Sequence, residues 1–167
     1  MSDTTAVTDD IVPPPPDPNT DPETDSVILA KTMFGEARGE LSGGIAAVGC
    51  VIRNRVLIDL HDDSKNDWWG EGYRGVCLKP WQFSCWLVTD PNFALLSKLT
   101  PESPELQGFI KLAKQIIVGA VPDVTLRATH YHVANMPIPA SWVPFGGPAP
   151  RPHIQIGRHL FYDLYRK

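Results

Sequence analysis

The chain has little that would tie it to a membrane, a redox centre or a nucleotide. In 167 residues no apolar run approaches the roughly 18 residues of a bilayer span. Cysteine is scarce: Cys50, Cys77 and Cys85 form no C-x-x-C pair and no disulfide framework. Cys50 falls in a helical apolar pattern and reads as a buried small hydrophobe. A Cys77–Cys85 bridge is open to the chain only in an oxidising compartment, and reduced thiols are expected. There is no G-x-S-x-G, no P-loop, no dinucleotide glycine fingerprint and no H-E-x-x-H, which removes the commonest motif-borne readings. Gly43-Gly44 at a helix start, without such a context, reads as a close-packing feature rather than a phosphate site.

Basic residues are missing from one end. Residues 1–25 hold seven acids (Asp3, Asp9, Asp10, Asp17, Asp21, Glu23, Asp25), six prolines and no Lys or Arg. Burying so few large apolar groups cannot offset the entropy of ordering the chain, so a disordered acidic tail over 1–25 is expected, with one folded domain over 26–167. Met1 to Asp10 offers neither a basic start nor an apolar stretch, so it does not read as a secretory signal. The expectation is a protein held in the cytoplasm that reaches any outer substrate by another route. With the seven acids set aside, residues 26–167 hold 15 basic and 12 acidic residues, a balance of +3. That suits an anionic polymer but is too slight to indicate nucleic acid. A monomer is expected.

Three helices are legible. The first spans about 26–34, capped by Asp25 or Ser26 and terminated by Gly35. The second spans about 42–56, where Ile45, Val48, Gly49, Ile52 and Val56 make one apolar stripe. The third opens at Ser103-Pro104 and stops at Gly119. Residues 129–133 and 154–162 are rich in aromatic and β-branched residues and read as extended. Two stretches, 58–80 and 137–152, read as long loops, the first set with Trp68, Trp69 and Tyr73.

The segment Gly35-Glu36-Ala37-Arg38-Gly39-Glu40 places two glutamates four residues apart at the junction of the first two helices. The negative end of a helix dipole and the neighbouring Met33 and Phe34 would raise the pKa of Glu36 and keep it a proton donor. Glu40 precedes the next helix, whose N-terminus favours the ionised form. Two carboxyls tuned in opposite directions are what cleavage of a glycosidic bond requires. The alternative is that Glu36 is a solvated surface residue and Glu40 a helix-start charge; for Glu40 the structural reading is favoured. Trp68, Trp69, Tyr73, Trp81, Phe83 and Trp86 offer flat faces for sugar stacking, or else pack the core. Gln82 is a plausible amide contact to a sugar. His130-Tyr131-His132 puts both imidazoles on one strand face, but with His153 and His159 it matches no zinc spacing.

Met33 to Glu40, Ala47-Val48 and Val51-Ile52-Arg53-Asn54-Arg55-Val56 together resemble the SleB-type cell wall hydrolases, a group that includes spore-cortex-lytic enzymes and phage endolysins. Gly75-Val76-Cys77-Leu78, Gln82-Phe83-Ser84-Cys85-Trp86, Ala128 to His132, Trp142 and Ile156 to Tyr162 follow in register, so the resemblance covers about 28–162. It implies a lysozyme-like α+β domain, mainly helical with a small β-sheet, that acts on peptidoglycan glycan strands as a lytic transglycosylase, without cofactor or metal. Glu36 would be the catalytic acid. Arg38, Glu40, Gln82, Phe83, Tyr131, His132, Trp142 and His159 would line or support the glycan groove. A phage-type endolysin, kept in the host cytoplasm until released to the wall, is the implied role. A hydrolytic muramidase using Glu40 as second carboxyl, a zinc amidase or peptidase, and a non-catalytic wall-binding module stand as alternatives.

Overall fold

The computed structural model describes residues 25–59 and 68–165. The expected tail lies outside the described residues except for Asp25, which opens the first helix rather than belonging to a tail.

The helix α1 (Asp25–Ala37) is the centre of the molecule. Every residue from Ser26 to Gly35 is buried, and the helix packs against α2 (Ser42–Asp59), α3 (Gly72–Leu78) and α5 (Gln107–Ile117). A predominantly apolar helix is satisfied by such enclosure, and Ser26, Lys31 and Thr32 are buried with it. Gly35 does not terminate α1, contrary to the expectation. A Cβ there would stand 2.5 Å from Cys85 Cβ, so this glycine is required by close approach of the Ser84–Trp86 turn. The helix runs on through Glu36 to Ala37.

The second helix carries two apolar stripes, where the sequence suggested one. Val48, Ile52 and Val56 join the cluster around α1, whereas Ala47 and Val51 pack with Phe161 and Ala128 under the sheet. Helix α2 therefore separates the helical core from three antiparallel strands, ordered β1-β3-β2: β1 (His130–Val133), β2 (Ile154–Ile156) and β3 (His159–Tyr162). The stretch 154–162 is thus a hairpin and not one strand. It turns at Gly157, whose φ of +58° favours glycine and whose added Cβ would meet Glu40 Oε2. In β1 the residues alternate across the sheet: Tyr131 pairs with Phe161 and Val133 with His159, while His130 pairs with Tyr162.

Two further helices were not anticipated, one in a segment read as loop and one in a stretch given no reading. Helix α3 occupies part of 58–80, of which residues 60–67 lie outside the described residues. Helix α4 (Pro91–Leu96) follows Asp90, whose side chain accepts from the Asn92 N–H, with Pro91 at the first helical position. The third expected helix begins with a single 3-10 turn, Pro104–Leu106, before α5. Among the described residues no helix is long and apolar enough to cross a membrane.

The sequence Arg53-Asn54-Arg55 on α2 clamps the chain that leads from α5 into β1. Arg53 Nη1 donates to Val121 O at 2.8 Å. Asn54 Nδ2 donates to Asp123 Oδ2 and to Ala128 O, both at 3.0 Å. Arg55 Nε donates to Thr129 O at 2.7 Å and Nη1 to Gln82 Oε1 at 2.8 Å. Three consecutive side chains thereby satisfy carbonyls that a buried loop would otherwise leave unpaired, and β1 is fixed against the end of α1.

Candidate active site

Glu36 lies in the last turn of α1, one residue before its end and not after it. Its side chain is half-buried and held at both oxygens. The Cys85 N–H donates to Oε1 at 3.1 Å, and the Tyr131 hydroxyl donates to Oε2 at 3.1 Å. The first contact exists because Gly35 lets the Ser84–Trp86 turn press onto α1; the second, because the Arg55 clamp sets β1 in place. Trp86 Nε1 donates to Thr32 Oγ1 at 3.0 Å one turn earlier on α1 and secures the same approach.

Burial, and then the neighbouring Glu36, push the Tyr131 phenol well above its ordinary value. It therefore stays a hydroxyl, able to donate to a carboxylate or to accept from a carboxylic acid. The thiol of Cys85 is also pushed far up, first by burial and then by Glu36, and Cys77 is raised to about 12 by burial. All three cysteines are free and buried, so no Cys77–Cys85 bridge is present.

Glu40 has a different role from a groove residue. Its side chain is only 4% exposed, and its Oε1 accepts from Arg158 Nε at 2.7 Å. Oε2 accepts the Arg158 backbone N–H at 3.2 Å. Burial alone would raise its pKa, but the hydrogen bonds and charge of Arg158 outweigh this and hold it below the ordinary 4.5. Glu40 is the latch that fastens the β2–β3 turn to the α1–α2 junction. His159 completes this corner. It is 6% exposed, its ring meets Tyr131 edge-on at 5.2 Å, and its Nδ1 stands 3.7 Å from Glu40 Oε1. Nδ1 makes no hydrogen bond. Burial lowers the His159 pKa although Glu40 opposes the shift, so the contact is a neutral imidazole beside a carboxylate.

The remaining expected groove residues divide. Gln82 faces inward: its Nε2 donates to Val76 O at 2.9 Å and to Trp69 O, and its Oε1 holds Arg55. Its amide braces the clamp and has no free group for a sugar. Phe83 is buried with Arg55 over its ring at 5.3 Å, and is core. Trp69 and Tyr73 are core as well. Arg38 is exposed and lies 5.4 Å over the Phe34 ring, bracing the turn that follows Glu36. Trp81 is 68% exposed and held at φ +69°, which is rare for a bulky residue; Trp68 is exposed as well.

His130 and His132 share one sheet face, as the H-x-H spacing predicts, but it is the face turned away from Glu36. His132 Nε2 lies 2.8 Å from the Tyr162 hydroxyl, and Trp142 packs against His130, His132 and Tyr162. Burial, with Arg55 nearby, lowers His130 to about 4, so it is neutral. Among the described residues no three His, Cys, Asp or Glu side chains group as metal ligands do. His132 and Trp142 are thus separated from Glu36 by the thickness of β1.

A half-buried carboxyl at a helix end, gripped by one main-chain and one phenolic donor on a mainly helical α+β scaffold, is a candidate for acid–base chemistry. A family model described as Cell Wall Hydrolase matches residues 39–162, and the chain belongs to that family. It is an enzyme of cell wall degradation. The match takes in Glu40, the Arg53-Asn54-Arg55 clamp, Tyr131 and His159, and begins three residues after Glu36. Among solved structures, the catalytic domain of the germination-specific lytic transglycosylase SleB from Bacillus anthracis is similar. It has 25% identity and a TM-score of 0.57, and the match covers 87% of this chain and 98% of that one. The fold is accordingly lysozyme-like. No curated protein gave a significant match.

Proposed function

We propose that this chain cleaves peptidoglycan between N-acetylmuramic acid and N-acetylglucosamine as a lytic transglycosylase, with Glu36 as its single proton donor and acceptor. The observation that carries the reading is the contrast between the two glutamates. Attack by water in a two-carboxylate glycosidase needs a second carboxyl free to act as base or nucleophile. Glu40 is enclosed and bound by Arg158 through both oxygens, whereas Glu36 is half-buried and held only by two uncharged donors.

The cycle needs only Glu36. Its carboxylic acid protonates the glycosidic oxygen as the C1–O bond breaks. The muramoyl 6-hydroxyl then closes on C1 and returns its proton to the Glu36 carboxylate, which leaves a 1,6-anhydro end. The Tyr131 hydroxyl donates to Glu36 Oε2 in both states, which leaves the proton of the acid free for the glycosidic oxygen. Trp81 and Trp68 provide exposed faces for the sugars. Digestion of purified wall and mass analysis of the muropeptides tests the reading. Anhydro ends, lighter by one water than hydrolytic ends, are expected; hydrated reducing ends would place the chain among the muramidases. EDTA should leave the rate unchanged, and loss of activity restored by zinc would favour the amidase reading.

The same proposal extends to a phage-type endolysin stored in the cytoplasm. Expression inside a bacterium should leave cells intact until the membrane is permeabilised, and then lyse them. Lysis before permeabilisation would contradict that role.

A further inference from the structure

On the sheet face turned away from Glu36 lies a pocket of about 710 Å³, lined by Trp142, Arg151, His153, Asp163 and prolines that include Pro148 and Pro152. Its floor is rigid: Trp142 is wedged among His130, His132 and Tyr162, and the His153 N–H is fastened to Phe161 O at 2.8 Å. Its rim carries one cation and one anion. The two do not pair with each other, and among the described residues Arg151 has no ion pair or hydrogen bond. Asp163 uses one oxygen, Oδ1, to accept the Tyr165 N–H at 3.2 Å, which leaves the other open. Opposite charges that line one pocket without meeting are suited to a ligand bearing both signs.

We propose that this pocket binds the peptide stem of the wall polymer, with Arg151 taking a stem carboxylate, Asp163 taking the side-chain ammonium of its diamino acid, and the prolines and Trp142 covering the short apolar residues between. This rests on the reading of the substrate as peptidoglycan. The stem is the one part of that polymer that carries both charge signs on small residues, whereas the glycan bears no ammonium when N-acetylated. Geometry allows one substrate to use both faces. β1 is an edge strand, and Tyr131, which holds Glu36, is followed on it by His132, which touches Trp142 at 5.7 Å. The two faces are thus divided by one edge strand, and stems repeat along the glycan strand on either side of the bond that is cleaved.

The test uses the full chain and a free stem tetrapeptide containing diaminopimelate and ending in D-alanine, titrated by NMR. Binding is expected, weakened about three- to tenfold by Arg151→Ala and by Asp163→Asn. Both variants should keep the wild-type melting temperature, since Arg151 is exposed and Asn retains the acceptor for Tyr165. In parallel, glycan with stems and glycan stripped of them are digested. Arg151→Ala should raise KM on the first by a similar factor, at unchanged kcat, and leave the second untouched. No tetrapeptide binding, or binding indifferent to both substitutions, overturns the pocket assignment; so does displacement of the peptide by residues 1–24 added in trans. Anhydro products from stripped glycan would leave the transglycosylase reading standing in that event. Tetrapeptide binding with neither glycan cleaved would refute that reading and keep the pocket.

Discussion

Replacing Tyr131 by Phe removes a single oxygen from the structure and tests whether the grip on Glu36 matters to the reaction. The ring keeps its packing, 5.8 Å from Phe161 and 5.2 Å from His159, so the fold should lose no more than the contribution of one hydrogen bond, at most about 3 kcal/mol. What is lost is the 3.1 Å hydrogen bond to Glu36 Oε2. A hydrogen bond to a charged group contributes about 1.5–3 kcal/mol, and each 1.4 kcal/mol corresponds to about tenfold in rate. If the bond orients Glu36 through the proton transfers, kcat should fall roughly 10- to 100-fold with little change in KM. Release of anhydro-muropeptides at saturating wall, with a melting curve as control, measures both quantities. A folded Tyr131→Phe protein with wild-type turnover would refute the claim that this hydroxyl positions the acid.

Two further substitutions probe the scaffold. Glu40→Gln should lower the melting temperature at pH 7 by loosening the Arg158 latch. Because the folded pKa of Glu40 lies below 4.5, the stability it contributes is present above that pH and lost as pH falls through the folded value. The difference between wild type and variant should therefore shrink below about pH 4.5, and a difference independent of pH would contradict the latch. Arg55→Met should cost about 3 kcal/mol in urea unfolding, by stranding Thr129 O and Gln82 Oε1 and removing a buried cation from between Trp69 and Phe83; a cost near zero would show that the clamp is dispensable.

Much of the site was legible from local sequence because it is built from local signals. The helix-end position of Glu36 follows from the apolar run before it, and the structural bias of Glu40 from its place before α2. What sequence could not supply were the partners. Tyr131 and Glu36 are 95 residues apart, and Arg158 and Glu40 are 118 apart; no periodicity pairs them. Gly35 was misread because a terminating glycine and a packing glycine look alike until the Cys85 turn is seen against it. The Asp90-Pro91 cap that opens α4 was visible in the sequence, but a six-residue helix has no apolar period to announce it. Gln82 and Phe83 were drawn to the substrate by their aromatic surroundings, whereas their real neighbour is the buried Arg55. The H-x-H pair was placed on the correct single face, and only the sheet register shows that the face looks away from Glu36.

The central claim is that Glu36 alone carries the proton in both halves of the reaction. Its most direct test is Glu36→Gln, which keeps shape and hydrogen-bonding capacity while removing the acid. On purified peptidoglycan the variant should fold normally and lose at least about 10²- to 10⁴-fold of its anhydro-muropeptide release, while Glu40→Gln at neutral pH keeps most of it. Near-normal release of anhydro ends by Glu36→Gln, or their abolition in a folded Glu40→Gln protein, would contradict the account.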